Sequence, residues 1–214
     1  MKKVIVLLAV LLSFGTMGTA LVAQQMTLES VCKGLSKHQI TTGDFTQIKT
    51  INANGRQLKS TGRFIISADG IMWKTLKPFP SSIVITKDKM IQTAADGKQS
   101  VMNGADNQIF ENISNCLSSV FAGNSGDLEK NFTVQLITEA NGKNWKMILT
   151  PKDSTIGSVM QTLEMTGTVS DGDEVIMNSL EMNETSSNKI KYEFTNQEYP
   201  KELTADEKSN FVVK

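Results

Sequence analysis

Residues 62–86 set the hydrophobic pattern of the chain. Phe64 and Ile66 share one face of a first run at period two. Ile71 and Trp73 share a face of a second run, and Ile83 and Ile85 a face of a third. Ala68-Asp69-Gly70 breaks the first run from the second, because Asp bonds its own backbone and Gly accepts positive φ. Pro78-Phe79-Pro80 breaks the second from the third, since proline has no N–H to give a ladder. The pattern predicts an antiparallel meander with Trp73 on its middle strand.

Upstream, Thr27 can cap a helix over 28–37 whose apolar stripe is Leu28, Val31, Cys32 and Leu35. Gly43 reads as the end of a linker. Strands are then predicted near 44–51, 57–66, 71–76, 82–86, 90–93 and 98–102, with turns at Asn54-Gly55, Asp69-Gly70, Lys87-Asp88 and Asp96-Gly97. The period then changes. After Asp106, residues Ile109, Ile113, Cys116 and Val120 line one face of a helix over 108–122, which Gly123 ends. A short helical turn is expected over 126–130. Strands resume near 132–139, 144–150, 161–169, 174–183 and 189–197, turning at Asn141-Gly142 and Asp171-Gly172. Leu163, Met165 and Val169 alternate with polar neighbours, as do Ile190, Tyr192 and Phe194, which predicts an antiparallel sheet wet on one face. The tail after Pro200 is polar and reads as loosely packed.

About eleven strands with interposed helices make an α+β domain, mainly antiparallel β. A sheet this long curls, and its edges stay open unless it closes or is covered. The two amphipathic helices can cover its concave face.

Composition adds a compartment. Lys2 and Lys3, the apolar run Val4 to Leu12, and the small residues before Ala20 or Ala23 read as a secretory signal over 1–23, leaving 24–214 as one domain. The apolar run is short for a membrane anchor. The expected location is the periplasm. The chain's 22 basic and 22 acidic groups tip slightly acidic once Lys2 and Lys3 are removed. No basic excess points to nucleic acid or anionic lipid.

Catalytic chemistry is sparse. His38 is the single histidine, and nothing fixes a nucleophile beside it, so no catalytic residue is assigned and no enzyme is expected. No metal-ligand spacing, EF-hand loop or phosphate loop occurs, so no metal or cofactor is expected. The methionines are dispersed and unaccompanied by histidine, which suits core packing or a soft lining for a flexible apolar ligand, not a copper site. Cys32 and Cys116 leave two readings open, a disulfide or two buried free thiols. If the two helix stripes face one cavity, the cysteines meet, and a bridge between them would be worth roughly 4 kcal/mol in chain-entropy terms.

Three motifs carry a family resemblance. Phe45-Thr46-Gln47 opens one strand. A glycine ends the strand before Trp73, and Lys77-Pro78 and Ser82-Ile83-Val84 follow it. Leu149-Thr150-Pro151-Lys152 ends a later strand. In this order and spacing they resemble the periplasmic outer-membrane lipoprotein carrier (LolA-like) family over most of the chain after the leader. Ser67-Ala68-Asp69-Gly70 replaces the family's Arg-Pro-Asn turn, whose arginine is thought to hold the lid, so the match fits a divergent branch.

The resemblance implies an unclosed (half) β-barrel with a helical lid. It implies a lipid-binding cavity of Phe45, Phe64, Ile66, Ile71, Trp73, Ile83 and Ile85 under lid residues Leu28, Val31, Leu35, Ile113, Leu117 and Val120. It further implies a monomeric carrier of acylated lipoprotein or other lipid cargo, loaded by an inner-membrane exporter and unloaded to an outer-membrane acceptor. Burying an acyl chain is worth about 0.8 kcal/mol per CH₂, so a long chain needs a dry concavity of matching strength. A non-carrier binding or envelope-sensor module of the same fold is the competing reading.

Overall fold

Two meanders meet at one seam. The computed structural model describes residues 26–103, 116, 118–139 and 142–212. The first meander is β1 (Thr41–Ile51), β2 (Arg56–Ser67), β3 (Gly70–Lys77), β4 (Ser81–Ile85), β5 (Lys89–Thr93) and β6 (Gln99–Asn103). The second is β7 (Phe132–Thr138), β8 (Asn144–Pro151), β9 (Met160–Val169), β10 (Val175–Glu184) and β11 (Lys189–Glu198). The first strand pairs with the last, giving the order β6-β5-β4-β3-β2-β1-β11-β10-β9-β8-β7. Every pairing is antiparallel, and β6 and β7 end the sheet at opposite edges. The unclosed sheet of eleven strands is the architecture the alternation predicts.

The sheet curls because large side chains cross over glycines on its inner face. A Cβ on Gly62 would lie 2.7 Å from Cζ of Phe45, and one on Gly167 would lie 2.2 Å from Cζ2 of Trp145. Neither position tolerates a side chain without displacing an aromatic ring. Trp73 and Tyr192 sit on strands three places apart, a separation of roughly 14 Å in a flat sheet. Their ring centroids are nevertheless only 6.0 Å apart.

The helices are short and capped. In α1 (Leu28–Leu35), Thr27 Oγ1 accepts from the Ser30 N–H and Ser30 Oγ accepts from the Thr27 N–H. Its buried stripe is Val31, Cys32 and Leu35. A helical stretch at 118–121 follows Cys116, itself helical, and then comes α2 (Ser125–Asn131), capped by Asn124.

Three expectations need correction. Gly43 lies inside β1, not in a linker, and a Cβ there would come within 2.7 Å of Phe64 Cε1. A short helix α3 (Ser154–Gly157) appears where the pattern shows only a strand gap. Asp153 Oδ1 caps it by accepting from the Thr155 and Ile156 N–H groups, and Ile156 is buried. The tail after Pro200 is not loose. Leu203 is buried, and α4 (Ala205–Ser209) follows it behind a Thr204–Glu207 capping box. That box is readable in the sequence, but α4 has no apolar stripe to draw attention to it.

Candidate functional site

Cross-strand register gathers the inner face. Phe64 stands opposite Trp73, Ile66 opposite Ile71, Ile71 opposite Ile85, and Trp73 opposite Ile83. Phe45 crosses Gly62 to join them. All seven cavity positions named from the sequence therefore lie on one face. Phe45, Phe64, Ile66, Ile71 and Ile85 are buried in the main cluster, Trp73 is half-buried beside it, and Ile83 is 37% exposed.

The rings pack edge to face. Phe64 meets Phe194 at 4.9 Å and Phe45 meets Tyr192 at 5.6 Å between centroids, offset geometries that aromatic pairs prefer. Burial pushes the Tyr192 phenol up to about 12, partly opposed by Gln47, whose Nε2 donates to the Tyr192 hydroxyl at 3.0 Å.

The second meander supplies half of this cluster. Trp145, Met147 and Leu149 of β8, Leu163 and Met165 of β9, and Met177 and Leu180 of β10 are buried in it. The sequence reading did not name them as site residues. Their period-two alternation was visible, but nothing in the sequence showed that β11 brings this meander alongside β1.

The cover comes from α1 and from the 118–121 stretch. Val31, Leu35 and Val120 are buried against the inner face, and Leu28 packs at its margin. Ile113 and Leu117 lie outside the described residues. The two segments touch, since a Cβ on Gly123, whose φ is +74°, would meet Ser36 Oγ at 2.5 Å. Gly34 lets α1 close onto β10, because a Cβ there would meet Val175 Cγ2 at 2.2 Å.

Cys32 and Cys116 are free thiols in the structure, not the bridge considered from the sequence. Both are buried in the same cluster and pack as small hydrophobes. Burial pushes the Cys32 thiol up to about 11, helped by the Glu129 carboxylate, and the Cys116 thiol up to about 12, helped by Cys32.

At one end of the sheet a cavity of about 740 Å³ opens between this cover and the strands. That size lies within the ~300–1,000 Å³ of ordinary small-ligand pockets. Leu35, Ile66, Ile71, Ile85 and Phe121 give it an apolar wall, and Ser67, Ala68 and Gly70 form part of its rim. That part of the rim is the turn that departs from the Arg-Pro-Asn pattern. His38 lines the same cavity. Its Nε2 lies 2.5 Å from Glu174 Oε1, and its ring stacks on Tyr199 at 3.7 Å. His38 ties the chain just past α1 to the start of β10 and the end of β11.

Two buried donors go unused. Among the described residues, Nε1 of Trp73 and Nε1 of Trp145 are the buried side-chain nitrogens and oxygens that meet no hydrogen-bond partner. Each such orphan costs on the order of 1–3 kcal/mol. Also among the described residues, no three His, Cys, Asp or Glu groups converge on a metal position, and no helix is long and apolar enough to cross a membrane.

The geometry defines an unclosed antiparallel half-barrel whose apolar inner face is covered by helices. The chain matches the family described as "Outer membrane lipoprotein carrier protein LolA" over residues 36–208, and it belongs to that family. It is 34% identical over 146 residues to an outer-membrane lipoprotein carrier protein of Cupriavidus pinatubonensis, covering 64% of this chain and 62% of the relative. It is 33% identical over 111 residues to one of Dechloromonas aromatica, covering 51% and 50%. The chain thus spans less than two thirds of the length of these curated relatives. Among solved structures, a LolA superfamily protein from Nitrosomonas europaea aligns over 85% of this chain and 97% of its own, at 7% identity and a TM-score of 0.45. The fold described above stands on its own strand pairing.

Proposed function

We propose that this protein is a periplasmic carrier that holds the acyl chains of lipoproteins or related lipid-linked cargo on its inner face and moves them from the inner to the outer membrane. The observation that carries this reading is the covered apolar face. Aromatic and methionine side chains line one side of a curled sheet, and two short helical segments that touch each other lie over it. Flexible methionines suit a cargo of variable shape. Family membership supports the same reading.

In this reading Phe45, Phe64, Ile66, Ile71, Trp73, Ile83 and Ile85 form the lipid-binding wall, extended by Trp145 and the methionines of β8 to β10. Val31, Leu35 and Val120 belong to the lid. Cargo enters by the cavity at His38, and opening swings α1 away from β10. The His38–Glu174 contact fastens that end of the lid, where the family arginine is missing. Residues 1–23 direct the chain to the periplasm as a cleaved signal. The partners are an inner-membrane exporter and an outer-membrane acceptor, and the carrier acts as a monomer without enzymatic activity.

Native mass spectrometry of protein gently extracted from the periplasm tests the proposal. Adducts with the mass of acylated cargo are expected. Protein that emerges without lipid, and takes up none when offered acylated peptide in micelles, would show a binding or sensor module instead.

A further inference from the structure

The two unused indole N–H groups belong to the only two tryptophans in the chain, and both side chains stand on the inner face. Trp145 is 98% removed from solvent by its 2% exposure, yet its Nε1 meets no acceptor. Trp73 is half-buried, but its Nε1 is fully covered. Elsewhere among the described residues, every buried side-chain donor and acceptor is matched. Tyr192, between the two halves of the cluster, shows the contrast, because its hydroxyl is paired to Gln47. A purely apolar ligand would leave both indoles unsatisfied, and Phe in either place would then serve better.

We propose that the Trp73 and Trp145 indoles donate hydrogen bonds to carbonyl oxygens at the head of an acyl chain, so that the site selects acyl esters or amides over plain hydrocarbon. The inference rests on the carrier reading and adds its recognition chemistry. The indole N–H is a donor only, so it suits a carbonyl and has nothing to offer an ammonium or a hydroxyl proton. The acyl tails then fill the apolar wall, while the carbonyls fix how far the cargo slides in.

The test uses displacement of N-phenylnaphthylamine from the full-length mature protein. Dipalmitoyl glycerol supplies ester carbonyls, N-methyl palmitamide supplies an amide carbonyl, and the di-O-hexadecyl ether of glycerol supplies neither. The carbonyl ligands are expected to displace the dye at about tenfold lower concentration than the ether, a gap that Trp73→Phe and Trp145→Phe each narrow by about threefold. Whichever of ester and amide shows the larger gap names the source of the carbonyl. Should a variant fail to fold, wild-type protein with nitrogen-labelled indoles gives a second readout. Its two side-chain N–H resonances should move downfield with the ester and stay in place with the ether. Equal displacement by ester and ether, with unmoved indole resonances, overturns this inference and leaves the carrier reading intact. Displacement by none of the three ligands overturns the carrier reading and this inference with it.

Discussion

The sheet has two apolar faces, and they are closed in different ways. On the outer face Ile65, Met72, Val84 and Ile91 form a small patch that Leu203 seals, with Ile40 and Phe211 beside it. The groove next to it is polar, lined by Lys74, Ser82, Thr93, Gln99, Ser209 and Asn210. The inner face is several times larger and is rich in aromatics and methionine. Among the described residues its cover is two helical segments held by close contacts and by the His38–Glu174 tie just past α1. A patch that only needs to be dry is sealed by a single leucine from the tail. On the carrier reading, the inner face must take in and release material beneath a cover that comes away, and it carries unsatisfied donors that the outer face lacks.

Truncation on each face puts this contrast to its hardest test. Phe64→Ala removes a ring that is 1% exposed and should cost about 3–5 kcal/mol in urea unfolding, with loss of dye uptake. Leu203→Ala should cost about 2–3 kcal/mol while dye uptake is unchanged. If Leu203→Ala also weakens uptake, the two faces are not separate in function.

The cover is probed next. Val31→Asp puts a charge where a fully buried side chain now sits, and α1 can avoid burying it by lifting off. Dye binding should rise severalfold. Alkylation of Cys32, slow at pH 8 because its thiol is buried and held near 11, should accelerate. A thiol count on denatured, unreduced protein should return two.

The inner face also has a pH signature. The Tyr192 phenol sits at about 12 in the fold, above its ordinary value near 10, so burial favours the neutral form. Its contribution to stability is complete below pH 10 and is lost as pH rises from 10 toward 12. Urea midpoints should fall over that window, and Tyr192→Phe should flatten the fall. A decline equally steep in Tyr192→Phe would place its cause elsewhere.

The smallest effect belongs to the tie at the cavity. His38 and Glu174 are each 28% exposed in their side chains, so Glu174→Gln should cost about 0.5–1 kcal/mol. It should nevertheless speed dye release more than Lys143→Gln does at the exposed Lys143–Asp171 pair, which joins the β7–β8 and β9–β10 turns. Equal release rates would remove His38 from lid control.

The strands were legible because period-two alternation and turn residues mark them without any knowledge of partners. Each predicted strand appears within a few residues of its place, down to the short Lys89–Thr93. The parity of Phe64, Trp73 and Ile83 also came through, since adjacent strands of a meander pair in a register that the turns fix. Trp145, Met165 and Met177 did not, because their place at the site depends on β1 pairing with β11, a long-range contact with no local mark. The His38–Glu174 tie is hidden for the same reason. Leu203 was overlooked because one apolar residue in a polar tail makes no periodic pattern, although the capping box beside it was visible.

The β1–β11 seam bears on how the chain is made. Gln47 and Tyr192 touch across it, yet 145 residues separate them along the chain. Synthesis delivers the N-terminus first, so β1 must wait for the last strand before it has a neighbour on that side. Until then the aromatic wall has no second half, and Phe45, Phe64 and Trp73 face an unfinished interior. The last strand to be made is therefore the one that closes the middle of the sheet. A stop before β11 divides the sheet at its centre, while a stop just after β11 leaves the sheet whole and removes the outer-face seal together with Tyr199, on which His38 stacks.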